Sequence, residues 1–267
     1  MSNFKSAASC ELGYPSGVGV NSAGEIIIAD ATGHRIVILS VEGACKKELR
    51  GGLQCPIGIA INSKGDILAT DAKRHLAVVV DGATFSVSEF GAPGTGNGQF
   101  DSPGGTATDH MGNILIADKG NGRLVILSAE GICQRTVALG SDATPAGVAV
   151  DSNRNIWITD SGKACVQVFS ESGQLRTTFG KSGKGDGEFN SPKGIAIDGD
   201  DNVYLADCNN HRLQVFSSAL ELVGLVEGLY FPEGIAVSHG GLLVISEPVR
   251  NQVRLFMPQE NEIGFVK

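Results

Sequence analysis

The chain has 267 residues, of which 42% are apolar and 37 are glycine, and it carries a net charge of −8. It is too apolar for a disordered chain. Its acidity speaks against binding nucleic acid or an acidic membrane over the whole surface, while leaving room for a local basic patch. No apolar run reaches the length of a membrane-spanning helix, and residues 1 to 15, MSNFKSAASCELGYP, lack the apolar core of a signal peptide.

Taken in chain order, the expected elements repeat. Pro15, Pro56, Pro103, Pro145, Pro192 and Pro232 lie 41, 47, 42, 47 and 40 residues apart. Two positions after each stands a glycine: Gly17, Gly58, Gly105, Gly147, Gly194 and Gly234. Fifteen positions after each stands a carboxylate: Asp30, Asp71, Asp118, Asp160, Asp207 and Glu247. The glycine opens a short alternating run (GVGVN, GIAIN, GTATD, GVAVD, GIAID, GIAVS). A turn leads to a second apolar run that ends on the carboxylate (IIIAD, ILATD, ILIAD, IWITD, VYLAD, LVISE). A loop of about four residues precedes a third run such as RIVILS or RLQVFS, and a weaker fourth run such as QLRTTFG closes the unit. Period-two, β-branched segments bounded by glycine and polar turns are strands.

Four strands per unit in six units predict an all-β, six-bladed β-propeller of four-stranded antiparallel blades. One blade cannot bury both faces of its sheet, so the blades must stack around a channel. The repeats fall near 10–50, 51–91, 98–140, 141–180, 187–227 and 228–267, within a single domain spanning 1–267 and expected to be monomeric. The ring is cut between blades six and one, with its mode of closure left open. Cys10, Cys45, Cys55, Cys133, Cys165 and Cys208 form no C-x-x-C pair and no zinc spacing, and there is no N-x-S/T acceptor. The thiols therefore read as reduced and the protein as intracellular, in the cytoplasm.

The units resemble the NHL repeat, whose pattern is a Pro-x-Gly entry, a strand ending in Ala-Asp, then Asn-His-Arg/Leu and an apolar strand. Residues 189 to 216, FNSPKGIAIDGDDNVYLADCNNHRLQVF, match almost throughout, and 100 to 127, FDSPGGTATDHMGNILIADKGNGRLVIL, come next. Blades two, four and six are looser: Leu76, Cys165 and Gln252 stand where Arg is usual, and Glu247 replaces Asp. The resemblance implies the propeller fold. It also implies three kinds of function: the C-terminal domain of TRIM-NHL ubiquitin ligases, RNA binding, or a lyase of the kind that completes peptide amidation.

ADCNNHRLQVF places Asp207, Cys208 and His211 together as if for a metal or for an activated thiol. In register with its five sister segments, however, the carboxylate and the histidine belong to the repeat, and Cys208 stands where the others carry Ala31, Ala72, Lys119, Ser161 and Pro248. The carboxylates read as structural acceptors for loop N–H groups and arginine. His34, His75 and His211 share one register away from the axis and read as consensus positions, not zinc ligands. GAPGTGNGQF and GKSGKGDGEF resemble phosphate cradles but lead into no helix. No metal, cofactor or catalytic residue is expected.

The five residues after each carboxylate together hold eight of the 21 Lys and Arg and none of the 29 Asp and Glu. These loops emerge on one face of a propeller, and the acidic first turns emerge on the other. Arg35, Arg123 and Arg212 are placed to pair with the carboxylates. Lys73, Arg74, Lys119, Lys163, Lys181, Lys184, Lys193 and Arg250 lie off that register and read as freer for a ligand. Tyr14, Phe100, Phe189, Tyr230 and Phe231 lie in loops feeding the same face, with Phe100 and Phe189 expected to plug seams between blades.

The leading expectation is a non-enzymatic platform for a protein partner or ligase substrate. Its contacts would be Lys73, Arg74, Lys119, Lys163, Lys193, Arg250, Tyr14 and Tyr230. Single-stranded RNA on the same face is the second expectation. A metal-dependent lyase or lactonase is the third; it would need ligands at the channel mouth, where Ser16, Ile57, Gly104, Ala146, Lys193 and Glu233 offer no such cluster. No RING, B-box or coiled coil occurs in this chain, and ligase activity would need one upstream.

Overall fold

A computed structural model of the chain describes residues 10–259 and 262–266. Six four-stranded antiparallel sheets each run in simple sequence order. Blade one comprises Pro15–Val20, Ile26–Asp30, Arg35–Leu39 and Cys45–Leu49; blade six comprises Ile235–Val237, Leu243–Glu247, Gln252–Gln259 and Glu262–Val266. The expected six-bladed propeller is the fold observed. No helix among the described residues is long and apolar enough to cross a membrane.

Burial follows the position of each strand in its blade. The second strands carry ILIAD-type sequences and are buried along their length except at Tyr204, whereas outer strands such as Cys45–Leu49 alternate half-buried and exposed residues. An inner strand covered on both sides must be apolar throughout, while an outer one needs only one apolar face. Phe100 and Phe189, both fully buried, do plug seams. Phe189 packs between Val166 and Val168 of blade four and Val203 and Phe216 of blade five. Phe100 does the same between blades two and three.

The Pro-x-Gly entry is explained by how closely the blades approach near the axis. A Cβ on Gly17 would fall 2.3 Å from the Ile57 carbonyl oxygen, one on Gly147 2.6 Å from that of Lys193, and one on Gly234 2.2 Å from that of Ser16. In each case the obstacle is the backbone of the next blade, so no side chain fits there. Blades alternate in how they join at this point. In blades two, four and six the second strand carries a hydroxyl one residue before the carboxylate. Thr70 accepts the Gly58 N–H at 2.8 Å and donates to the Gly104 carbonyl at 2.5 Å. Thr159 does so between Gly147 and Lys193, and Ser246 between Gly234 and Ser16. Ala29, Ala117 and Ala206 occupy that place in blades one, three and five. There Gly105 and Gly194 donate directly to the Ala146 and Glu233 carbonyls. The sixfold ring is thus a threefold ring of blade pairs.

Closure uses the same device. Blade six takes its outer strand from the C-terminal segment itself, so blades six and one meet by packing, without exchanging strands. Ser246 reaches Ser16, and Val18, Ile28 and Val37 of blade one share a core with Leu242, Val244 and Leu255 of blade six.

The cysteines correct one expectation. Cys10 and Cys45 form a disulfide, with Cα atoms 5.9 Å apart. Cys10 approaches blade one beside its outermost strand, a proximity set by folding and not by any spacing in the sequence. Cys55, Cys133, Cys165 and Cys208 are free thiols.

Candidate recognition face and central channel

The six carboxylates are hubs that fasten each blade's entry loop. All are fully buried. Asp30 accepts the N–H groups of Gly13 and Tyr14, Asp118 that of Asp101, Asp207 that of Asn190, and Glu247 that of Tyr230. In blades one, three and five the arginine five residues on closes the hub through Nε, at 2.9 Å for Arg35 and Arg212 and 2.8 Å for Arg123. The looser blades substitute other groups. Gln167 and Lys163 serve Asp160, the Arg74 N–H serves Asp71, and Gln252 and Arg254 serve Glu247.

The glycine-rich loops wrap a guanidinium, not a phosphate. Arg123 donates to the Thr95, Gly96 and Gln99 carbonyls, and Arg212 to those of Gly185 and Glu188. Such loops expose carbonyl oxygens inward, the wrong polarity for an anion. Gly180, at φ +88°, lies against the Phe189 ring, which a Cβ would meet at 2.4 Å. That contact explains the glycine at the head of the second loop.

The three in-register histidines are latches between blades. Each adopts a left-handed conformation, at φ 53°, 56° and 58° for His34, His75 and His211. His34 Nδ1 bonds the Gln54 carbonyl, whereas His75 Nδ1 accepts the Ser102 N–H at 3.0 Å and His211 Nδ1 the Phe231 N–H at 3.2 Å. They point to three different seams and do not converge.

The cations of the loop face divide into engaged and free. Arg74 forms a bidentate pair with Glu89, at 2.6 and 2.7 Å. Lys163 donates to the Leu139 carbonyl, Lys181 lies 3.3 Å from Glu188, and Lys193 pairs with Glu233. Lys73, Lys119 and Lys184 have no ion pair among the described residues. On the other face, first-turn aspartates such as Asp109, Asp151 and Asp198 accept N–H and side-chain amide bonds from their own turns. Much of their charge therefore serves to shape those turns.

At the seam of blades five and six the loop face carries an aromatic cluster. The Tyr230 ring stacks on the His211 imidazole at 5.5 Å and meets Phe231 edge-on at 5.0 Å. The Arg250 guanidinium lies 4.4 Å over the same tyrosine ring. Tyr230 is 36% exposed and the adjoining Val249 56%. Sequence reasoning named Tyr230 and Arg250 but missed Val249 and the stacking. The signal for Val249 was only that an aliphatic residue stands in a loop whose sisters carry Thr32, Lys73, Gly120, Gly162 and Asn209.

The same face opens into the central channel, about 320 Å³ in volume. The residues after each proline, Ser16, Ile57, Gly104, Ala146, Lys193 and Glu233, all line it, as the sequence led us to expect. Tyr14 donates its hydroxyl to Glu233 at 2.8 Å. Burial, with Glu233 alongside, pushes that phenol above its ordinary range. Cys208 lies close by but is 2% exposed. Burial pushes its thiol up to about 11, opposed by Lys193 and reinforced by Glu233 and Asp207. A buried, protonated thiol is neither nucleophile nor partner contact. No histidine among the described residues lines the channel. Among the described residues, one group has metal-ligand spacing, Cys10, Cys45 and Glu48, and its two sulfurs are joined to each other.

The NHL repeat family model matches residues 12–39, 143–169 and 189–216. Blades one, four and five are thus NHL repeats, blade four despite Cys165 in the arginine register. No curated protein matches the chain in sequence. Among solved structures, the chain is 18% identical to virginiamycin B lyase from Staphylococcus aureus, covering 94% of this chain and 83% of that one, with a TM-score of 0.72. It is 15% identical to a gluconolactonase from Xanthomonas campestris, covering 92% and 86%, at 0.74. A chain of a nidogen/laminin complex aligns at 18% identity over 87% and 89%, at 0.71. At these identities the likeness is one of fold, a fold that carries both enzymes and proteins of a complex.

Proposed function

We propose that this NHL-repeat propeller is a non-enzymatic recognition module that binds a protein partner on its loop face, centred on the seam of blades five and six. The observation that carries the reading is the Tyr230–Arg250–Val249 cluster. The Tyr230 ring stacks on His211 and meets Phe231 edge-on, the Arg250 guanidinium lies over it, and the exposed Val249 is the next residue of the chain. Interfaces concentrate their energy in such clusters of aromatic and arginine anchors. Met111 and Ile132 on the opposite face are more exposed, 67% and 68%, and Met111 shares a groove with Arg135 and Arg154, but both arginines are drawn to Glu171, one to its carboxylate and one to its carbonyl. In its finer form, supported by the resemblance of the repeats, this is the substrate-recognition domain of a TRIM-NHL-type ubiquitin ligase.

Single-stranded RNA ranks second. Its positive track would need Arg74, Lys163, Lys193 and Arg250; the first three are held by oxygens of the protein itself, and Arg250 is committed to the ring of Tyr230. Lys73, Lys119 and Lys184 remain without an ion pair among the described residues, too few for the steep salt dependence of phosphate binding. A metal-dependent lyase or lactonase ranks third, because among the described residues the channel presents one carboxylate, already paired, and no imidazole.

Affinity capture with wild type, Tyr230→Ala/Arg250→Ala and Met111→Ala tests the reading. A partner retained by wild type and Met111→Ala but lost by the double variant supports it. Retention by all three, or tight salt-sensitive binding of short RNA pools, overturns it.

A further inference from the structure

The mouth of the central channel is asymmetric in a way that partner recognition on the outer loops does not require. On the side of blades five, six and one it is polar: Lys193 pairs with Glu233, and Tyr14 donates to the same carboxylate at 2.8 Å. On the side of blades two to four the wall is largely apolar, formed by Ile57, Ala72, Gly104 and Ala146, with Ser102, Ser161 and Lys119 as its polar members. Deeper, the throat is lined by Val18, Ile59, Val148, Ile195 and Ile235 and by Thr106, whose hydroxyl is spent on the Leu115 carbonyl. Lys119 enters from blade three, opposite Glu233 in the ring, and has no ion pair among the described residues.

The charges at the mouth therefore do not balance. Among the described residues two ammonium groups face one carboxylate, and that carboxylate already holds an ammonium and a phenol. The mouth is short of one anion of single charge. The volume, about 320 Å³, lies at the lower end for small-molecule sites, which are apolar cavities with a few convergent polar groups. The glycine N–H groups around the ring do not supply an anion cradle. Those of Gly58, Gly105, Gly147, Gly194 and Gly234 are spent on bonds at the blade seams.

We propose that the channel binds a small monocarboxylic acid with an apolar body. Its carboxylate is held between Lys119 and Lys193, and its apolar portion lies along the largely apolar wall into the throat. A cationic rim over an apolar throat favours such an amphipathic anion over a neutral or cationic ligand of the same size. Tyr14 keeps Glu233 oriented toward Lys193, so Glu233 stays paired and does not repel the guest.

Calorimetric titration with sodium octanoate, octan-1-ol and octylamine tests this. Octanoate is expected to bind at least about tenfold more tightly than either of the others, the order of one charge-assisted contact. Lys119→Ala, a change at an exposed side chain, is expected to lose about that factor for octanoate and leave octan-1-ol unaltered. Ala146→Phe, which fills the space along that wall, is expected to abolish binding of both with the melting temperature retained. Octanoate binding that is no tighter than that of octan-1-ol, or unchanged in Lys119→Ala, or not saturable at millimolar concentration, would overturn the proposal. Tyr230→Ala/Arg250→Ala is expected to leave octanoate binding intact, which separates this site from the partner face.

Discussion

The Arg250 guanidinium lies 4.4 Å over the ring of Tyr230, and the same ring stacks on the His211 imidazole at 5.5 Å. His211 is itself fixed, because its Nδ1 accepts the Phe231 N–H. A half-exposed tyrosine held between two such neighbours meets a partner with little rotamer freedom left to lose. Tyr230→Ala is therefore expected to weaken partner binding by about 2 kcal/mol or more, roughly thirtyfold. Surface plasmon resonance against the captured partner measures this, and a loss under threefold would count against an anchor at this position.

The carboxylate hubs bear on stability, and their effect differs from that of the turn aspartates. Asp207 is fully buried and accepts bonds from Asn190, Arg212 and Gln214. Asp207→Ala leaves the Arg212 charge largely buried and unpaired, at a cost of about 3 kcal/mol or more. Melting should fall by roughly 10 °C. Asp198→Ala, in a first turn, loses hydrogen bonds in a half-buried place and is expected to cost about 1 kcal/mol. Equal melting temperatures for the two variants would contradict the hub assignment.

Cys208 ties the pH dependence to geometry. Its thiol titrates near 11 in the folded protein against an ordinary value of 9.0, raised chiefly by burial. A raised acid favours the folded state while protonated, so this contribution is complete below about pH 9 and is lost between there and about 11. Cys208→Ala is expected to flatten that part of the alkaline stability curve. At pH 8 a thiol reagent should leave Cys208 untouched until the protein unfolds. Labelling of native Cys208 within minutes would show the loop to be open.

The Cys10–Cys45 disulfide closes a loop of 35 residues. By the chain-entropy account it stabilises the fold by about 3 to 4 kcal/mol. Denaturant melts with and without reductant should differ by that amount, and Cys45→Ser should match the reduced wild type. Identical melts would mean that the bond is absent in solution.

The fold was legible because it repeats. The offsets from proline to glycine and to carboxylate located blades, inner strands and hubs before any coordinate, and the loss of arginine at Leu76, Cys165 and Gln252 marked the weaker blades. What supplies the replacement was not legible: Gln167 and Arg254 lie two residues further on and reach their hubs only because alternate strand residues share a face. The alternation of Thr70, Thr159 and Ser246 with Ala29, Ala117 and Ala206 stood in the sequence, but its meaning depends on a carbonyl from the next blade. The candidate site was legible in part. Tyr230, Arg250, Lys119 and Lys193 could be assigned to one face by register, yet which cations are free is decided by partners distant in sequence, such as Glu89 for Arg74 and Glu233 for Lys193. The Cys10–Cys45 pairing has no sequence signature at all.

The central claim is that the loop face at blades five and six receives the partner. A photo-crosslinking amino acid placed at Val249 and, in a second protein, at Met111 on the opposite face tests it most directly in cells. A discrete protein adduct from position 249, absent from position 111, is the expected result. Adducts from position 111 alone, or an RNA adduct in place of a protein at position 249, would contradict the account.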